Sequence, residues 1–250
     1  MARSPHPHAR IVSIDKAPAL AMPGVLGVFT GADCLADGLG PIPHDPIPKT
    51  KYDMKLTGRN GTPIFIGPHM LQRLDHRILR RRHVGEAVAM VVAETLAQAH
   101  DAAEALVIDY EALPFVLDQR EAFKEGAPTV WDEVPDNAFV DTWFGDRAAT
   151  DAAFATADHV VKLDLYIPRV TAVTMEPRAA LGSYDAKTGR YELYVGGGGA
   201  VRQKSEIASV LGVEPKDVRV QTYDVGGNFG SKNRVYVEYG LVVWASRKIG

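Results

Sequence analysis

The sequence predicts an α+β protein with two domains, and two observations support this fold class. In the first half, the continuous apolar run Val88–Val92 is followed by small apolar residues at helical spacing from Leu96 to Leu106. In the second half, strand patterns alternate with glycine-rich loops and helices. We expect a first domain over residues 1–118, a linker over 119–145 and a second domain over 146–250.

Short strands are expected in the first half at Arg10–Asp15 and Val25–Thr30. The apolar run at 88–92 is typical of a strand that is buried on both faces. With the helix after it and a strand at Val107–Tyr110, it predicts a βαβ-like unit.

The second half begins with a short helix near Ala152–Ala157 and a strand at His159–Ile167. Asp185–Gly189 separates two further strand patterns and is a hairpin signature. Two glycine-rich loops follow, and each lies between a predicted strand and a predicted helix: Gly196–Gly199 precedes a helix over 200–211, and Asp224–Lys232 precedes a helix over 236–248.

Composition excludes several functional classes. The chain has 250 residues, 46% hydrophobic and 24% charged, which is typical of a globular protein. The net charge of -3 gives no sign of nucleic acid binding, and no apolar run approaches the roughly 20 residues of a membrane span. The polar N-terminus favours a cytoplasmic location over export.

Cys34 is the only cysteine, so the chain can form no internal disulfide and cannot hold an iron–sulfur cluster. The eight histidines are scattered, with no metal-binding spacing. We therefore expect no metal bound through the chain's own Cys and His side chains.

The glycine-rich loops are the main functional candidates. Glycine permits a positive φ and lets backbone N–H groups approach a ligand without an intervening Cβ. The order of residues in 224–232 fits neither the Walker loop nor the dinucleotide fingerprint. Two interpretations stay open: the loops form two walls of one ligand site, or they are unrelated tight turns, one of them packed under Phe229.

Several segments, in order, resemble the molybdopterin-binding large subunit of the xanthine dehydrogenase, aldehyde oxidase and carbon monoxide dehydrogenase family. Arg3–Ile11, Ile14–Asp15, Met22–Val25, Val84–Glu94 and Tyr110–Pro114 resemble its a/b hammerhead domain. Met175–Arg178 and Val225–Gly230 resemble its first molybdopterin-binding domain. The resemblance implies an a/b hammerhead domain followed by the first, incomplete part of a molybdopterin-binding α+β domain.

The resemblance also implies a chemistry. Such enzymes hydroxylate a C–H bond of an aldehyde or N-heterocycle with oxygen from water, at a molybdenum centre held by a pterin. The implied cofactor is of the molybdopterin type, in the cytosine dinucleotide form. The implied partners are a 2Fe-2S subunit, an FAD-binding subunit and the rest of the molybdenum subunit, with a small-molecule substrate.

The implied cofactor-binding residues are those that match the family's glycine loops: Gly197, Gly198, Gly226, Gly227, Phe229 and Gly230. By the resemblance, Gly227 must stay small because its backbone lies against the cofactor, and Phe229 packs the loop beside the active centre. No catalytic residue is assigned in this chain, because the family's general base matches no part of it.

The sequence departs from the family pattern near these loops. Gly198 stands where many members carry a Gln that hydrogen-bonds a molybdenum ligand, and Asn228 replaces a commoner glycine. Asn233 stands where purine-oxidising members have a Glu, which argues against purine oxidation. For Glu176 and Arg178 we expect a structural ion pair in a turn, with a place in the pocket wall as the alternative.

Family members are much longer than this chain, so we expect a fragment that is inactive alone. The alternative is a non-catalytic assembly or interaction module that retains the fold without the cofactor. An independent nucleotide-binding protein is disfavoured by the absence of both phosphate motifs.

Overall fold

The computed structural model describes residues 1–40, 42, 80–81, 83–130, 136–137, 145–167 and 170–250, with only the backbone at 80–81. In these ranges the first part of the chain forms β1 (Ala2–Arg3), β2 (Ala9–Asp15), α1 (Ala17–Leu20), β3 (Val25–Thr30), α2 (Gly31–Ala36), β4 (Arg80–Arg81), β5 (Ala87–Ala93), α3 (Leu96–Glu104) and β6 (Val107–Ala112). The second part forms α4 (Arg147–Thr156), β7 (Ala180–Asp185), β8 (Arg190–Val195), α5 (Ala200–Leu211), β9 (Val218–Gln221) and α6 (Val237–Ile249). The α+β class is confirmed.

The described strands of the first part form two three-stranded antiparallel sheets, in the orders β1-β5-β3 and β4-β2-β6. The strand β5 lies in the centre of the first sheet, and Val88–Val91 are buried, as expected for an apolar run covered on both faces.

The expected βαβ-like unit is wrong. β5 and β6 flank α3 in the chain but belong to different sheets, because β6 pairs with β2 from Ala9 to Asp15. Strand pairing depends on residues far apart in the chain, and a local apolar run does not specify the partner.

In the second part, β7 and β8 form the expected hairpin, with Asp185 opposite Arg190. The Asp185 carboxylate accepts hydrogen bonds from the Lys187 N–H and the Thr188 hydroxyl, and Gly189 takes a φ of +69°. This is the turn chemistry expected for Asp and Gly, because Asp binds nearby backbone and Gly tolerates a positive φ.

A βαβ unit does occur in the second part. β8 and β9 are parallel neighbours connected through α5. Their core is formed by alternate residues of β8, Tyr191, Leu193 and Val195, together with Ile207 of α5 and Val243 of α6. Because the strands are parallel and adjacent, the loops that leave their carboxyl ends emerge side by side.

The two parts of the chain pack directly on each other. One buried cluster joins α2 to α5 and α6: Cys34, Leu39, Val210 and Trp244. The Trp244 indole N–H donates to the Asp37 carboxylate at 2.9 Å, and Lys248 Nζ lies 2.8 Å from the same oxygen.

Cys34 is inaccessible in this interface. It is 4% exposed, and burial raises the pKa of its thiol to about 11, with Asp33 and Asp37 adding to the rise.

The thiolate is the reactive form of cysteine, so the raised pKa of Cys34 predicts slow chemical labelling. At pH 8 we expect reaction with an aromatic disulfide reagent to be about 100-fold slower than that of an ordinary cysteine, as follows from its thiolate fraction. Reagent absorbance would follow the rate, with guanidinium-unfolded chain as the control; fast labelling of folded chain would contradict the burial.

The expected strand at His159–Ile167 is wrong for the chain alone. These residues form neither helix nor strand, and every residue from Gly145 to Ile167 is exposed. A strand needs a partner for its backbone groups, and no described strand pairs with this segment.

The expected linker at 119–145 is described at 119–130, 136–137 and 145, where Glu121–Phe123 form one 3-10 turn; the rest lies outside the described residues. In the described part of the chain, no helix has both the length and the apolar character that crossing a membrane requires.

Candidate functional site

Three segments meet at one edge of the β7-β8-β9 sheet. The Gly196–Gly199 loop leaves the carboxyl end of β8, and the loop 222–233 leaves the carboxyl end of β9. Residues 174–179 enter β7, whose first residue Ala180 pairs with Val195 at the end of β8. The carboxyl edge of parallel strands is where open α/β sheets bind ligands.

A buried lysine holds these segments together. Lys232 is fully buried, and its ammonium donates to the Glu176 carbonyl oxygen at 2.8 Å and to the Glu176 carboxylate at 2.6 Å. The carbonyl of Lys232 accepts from the Gly198 N–H at 3.1 Å and from the Gln203 amide at 3.2 Å. One residue therefore connects all three segments.

Glu176 is bound from two sides. Its carboxylate accepts from Lys232 and, at 3.0 Å, from the Gly226 N–H. These two donors hold the pKa of the Glu176 carboxyl below its usual 4.5, with the Lys232 side chain as the larger cause. Glu176 is thus a negative charge at neutral pH that fixes the glycine loop to the entry of β7.

The expected ion pair between Glu176 and Arg178 is wrong. Glu176 pairs with Lys232, which is 56 positions away in the chain, and the Arg178 guanidinium lies 3.7 Å from the centroid of the Tyr236 ring. A guanidinium over an aromatic face is a favourable cation–π arrangement. The two neighbours in the motif therefore serve separate contacts.

The Gly196–Gly199 loop packs closely on its surroundings. The Gly197 N–H donates to the Thr222 hydroxyl at 3.2 Å. A Cβ at Gly197 would overlap the side-chain amide of the fully buried Gln203. A side chain at this position would therefore displace Gln203 from the Lys232 carbonyl.

Gly198 faces a pair of side-chain amides. Asn228 donates to Asn233 at 2.8 Å and accepts from the Lys232 N–H at 3.0 Å. A Cβ at Gly198 would overlap both amides. The space in front of Gly198 is therefore filled by Asn228 and Asn233, and a longer side chain at position 198 is incompatible with this pair.

The second loop contains unusual backbone conformations. Gly227, Phe229 and Gly230 have φ values of +103°, +48° and +83°. A positive φ is rare for a bulky residue such as Phe. Phe229 is also 81% exposed, and its ring edge would lie 3.2 Å from a Cβ at Gly227. The ring therefore covers Gly227 while most of its surface faces solvent.

The proposed cofactor-binding residues differ in what they offer a ligand. The N–H groups of Gly197, Gly198, Gly226 and Gly227 already donate within the protein. Within the described residues, the N–H groups of Phe229 and Gly230 have no protein acceptor, and both residues are exposed. A Cβ at Gly230 or at Gly199 would meet nothing within 4 Å.

This arrangement fits a group with several acceptor oxygens, such as a pterin cofactor with its phosphates. Phe229 and Gly230 present backbone donors, and Gly199 and Gly230 leave room for close approach. The donor set contains no metal-ligating side chain, which suits a metal whose ligands come from the cofactor. Among the described residues there is no cluster of three or more His, Cys, Asp or Glu placed to hold a metal ion.

A separate cavity of about 530 Å³ lies beside the loops. Thr174, Arg178, Ser231 and Tyr239 are among its lining residues. None of the six proposed cofactor-binding residues lines it. The cavity and the exposed face of the glycine loops are therefore different surfaces.

Sequence reasoning missed the residues that support the loops. Gln203 and Glu206 of α5 are buried polar residues, and Glu206 accepts from the Val235 N–H and lies 2.8 Å from Arg234. The pattern that could have indicated them is a Gln and a Glu three residues apart, on one face of a helix between two glycine loops. Lys232 gave no signal apart from its place at the end of the loop.

Comparisons with known proteins match both halves of the chain. A family model described as the aldehyde oxidase and xanthine dehydrogenase a/b hammerhead domain matches residues 1–60. A second, described as the molybdopterin cofactor-binding domain, matches residues 130–250.

Full proteins match along almost the whole chain. The nicotine 6-hydroxylase large subunit of Paenarthrobacter nicotinovorans is 33% identical over 99% of this chain and 28% of its own length. The carbon monoxide dehydrogenase large chain of Hydrogenophaga pseudoflava is 29% identical over 99% of this chain and 30% of its own length.

A solved structure agrees with these matches. Quinoline 2-oxidoreductase from Pseudomonas putida 86 superposes with a TM-score of 0.76 at 30% identity, over 99% of this chain and 29% of that one. The chain thus spans about 30% of the length of the relatives that it matches. The resemblance seen in the sequence to the molybdopterin-binding large subunits of the xanthine dehydrogenase, aldehyde oxidase and carbon monoxide dehydrogenase family is therefore confirmed.

Proposed function

We propose that this chain forms the cofactor-binding part of a molybdenum hydroxylase large subunit. The enzyme would be an oxidoreductase that hydroxylates an aldehyde or N-heterocyclic C–H bond with oxygen from water. The observation that supports this function is the convergence of two glycine loops at one sheet edge, with open backbone at Gly199 and Gly230, in a domain that matches the molybdopterin cofactor-binding model.

The proposed roles follow from the contacts. Phe229 and Gly230 would donate backbone hydrogen bonds to acceptor oxygens of the cofactor. Gly197, Gly198, Gly226 and Gly227 would shape the loops through their internal bonds, as described above. When bound, the molybdenum cofactor supplies the redox centre and the activated water-derived oxygen.

The proposed cofactor is the cytosine dinucleotide form, and the proposed partners are a 2Fe-2S subunit, an FAD-binding subunit and the remaining polypeptide of the large subunit. The single cysteine of this chain cannot hold a cluster, so the iron–sulfur centre is proposed to lie outside these 250 residues. The proposal places the assembly in the cytoplasm and its small-molecule substrate among N-heterocycles first, since the relatives include proteins named for nicotine and quinoline.

A second candidate is a non-catalytic module that retains the fold without the cofactor. It is favoured by the internal bonds of the glycine loops, because Lys232, Gln203 and Thr222 hold them without a ligand. The two candidates differ in cofactor content.

The test is to purify the protein with its partners from the native host. We expect stoichiometric molybdenum, CMP released from the pterin by hydrolysis, iron and FAD, and dye-linked oxidation of quinoline or nicotine but not of xanthine. The 250-residue chain produced alone is expected to lack molybdenum and turnover. A purified complex without molybdenum would favour the non-catalytic module, and turnover by the chain alone would refute the assignment of catalysis to the larger assembly.

A further inference from the structure

One long segment of the chain packs on neither core. Every residue from Gly145 to Ile167 is exposed, and the helix α4 within it has no buried residue, although it carries a side chain as large as Phe154, which is 60% exposed. Soluble proteins rarely leave a contiguous apolar surface uncovered unless it is an interaction site.

The portion His159–Ile167, which follows α4, alternates in polarity. Its odd-numbered apolar residues are highly exposed: Val161 91%, Leu163 77%, Leu165 76% and Ile167 74%. The charged residues Lys162 and Asp164 stand between them in the sequence. A period of two with one apolar face is the pattern of a strand with one face in a core.

The backbone of this portion is also unpaired. No described strand forms a ladder with residues 159–167, and the polar groups of an unpaired extended chain are a template for another strand. Among the described residues, this segment therefore has neither a neighbouring strand nor a core that covers its apolar face.

We propose that residues 159–167 dock as a strand on polypeptide of the same large subunit that lies outside the region matched here. The length of the relatives supports this occupant, because about 70% of such a subunit is further polypeptide. The occupant supplies an edge strand that pairs with the backbone of 159–167, together with apolar side chains that pack on the face formed by Val161, Leu163, Leu165 and Ile167. Its identity rests on the proposed function; the need for an occupant rests on the exposed surface alone.

The first test is hydrogen exchange of the backbone amides of 159–167, measured on the complex from the native host and on the 250-residue chain alone. We expect exchange at least about tenfold slower in the complex, since ladder hydrogen bonds protect amides. Equally fast exchange in both samples would overturn the proposal. Protection in the chain alone, with dimers by sedimentation, would assign the surface to a second copy and would also overturn it.

The second test compares Leu163→Asp with Lys162→Asp, which changes the adjacent residue on the opposite face. Both variants of the isolated chain should melt like the wild type, because neither side chain is packed in it. In the native host, Leu163→Asp should lower recovery of the assembled subunit at least about tenfold, as a charge buried in an apolar interface is costly, and Lys162→Asp should not. If the assembled subunit is recovered equally well with either variant, the apolar face that contains Leu163 is not the docking surface.

The same complex separates this proposal from the function. If the amides of 159–167 are protected but the complex contains no molybdenum, the docking proposal stands and the proposed enzymatic function is wrong. If the complex contains molybdenum but these amides are unprotected, the proposed function stands and the docking proposal is wrong.

Discussion

Replacement of Lys232 by methionine is expected to destabilise the fold, because the carbonyl and carboxylate oxygens of Glu176 lose the fully buried ammonium that donates to both. Methionine fills a similar volume but donates nothing to Glu176, and the Glu176 carboxylate keeps only the Gly226 N–H as a donor among the contacts described. Thermal unfolding would show a Tm lower by several degrees. Because Lys232 connects both glycine loops, the assembled protein should also lose molybdenum.

The matched control is Lys216→Met, which removes an exposed lysine and should change stability by less than about 0.5 kcal/mol. If Lys232→Met and Lys216→Met have the same Tm, the buried contacts of Lys232 do not stabilise the fold. If Lys232→Met melts lower but keeps its molybdenum, the lysine supports the fold and does not position the cofactor loops.

The pH dependence gives a further readout of the same pair. Lys232 lowers the pKa of Glu176, so the ionised carboxylate stabilises the folded state above its ordinary pKa of 4.5. That stabilisation is lost as pH falls below 4.5 and through the lower folded-state pKa. The Tm difference between wild type and Lys232→Met should therefore narrow as the pH is lowered from 7 toward 3.5. A difference that is constant over this range would mean that the charge of Glu176 is not involved.

The position of the glycine loops was predictable because it follows from local patterns. The local order is a strand, a glycine loop, a helix and a second strand that ends in another glycine loop. If the two strands are parallel neighbours, this order places both loops at the same edge of the sheet. The β8–α5–β9 unit has this form. The βαβ-like unit expected near β5 had the same order of strand, helix and strand, without glycine loops, but its strands pair elsewhere.

The contacts under the loops were not predictable, because they join residues far apart in the chain. Glu176 and Lys232 are each common surface residues, and only the fold makes them partners. The expected strand at 159–167 illustrates the same restriction on prediction from sequence. Its residues alternate in polarity as in a strand, but none of the described strands pairs with it. Periodicity predicts that a segment will be a strand but not which strand it pairs with.

Replacement of Gly227 by valine is expected to destabilise the protein by about 1–3 kcal/mol even without a cofactor, the usual cost of a disfavoured backbone conformation. The φ of Gly227 is +103°, and its added Cβ would lie 3.3 Å from Thr174 Cβ. A Cβ at this position points at protein atoms. Loss of molybdenum in this variant therefore does not by itself show that Gly227 touches the cofactor.

The variant that separates the two causes is Gly199→Asn. Gly199 has an extended backbone with a φ of 173°, begins α5 as its N-cap, and has nothing within 4 Å of an added Cβ. Asparagine is a favourable N-cap, so Tm of the cofactor-free protein should stay the same or rise slightly. If the cofactor lies against this loop, the assembled Gly199→Asn protein should lose molybdenum while Gly227→Val loses both stability and molybdenum. If the Gly199→Asn protein keeps its full molybdenum content, the Gly196–Gly199 loop does not contact the cofactor. If the Tm of Gly227→Val is unchanged, the backbone strain assigned to Gly227 is wrong.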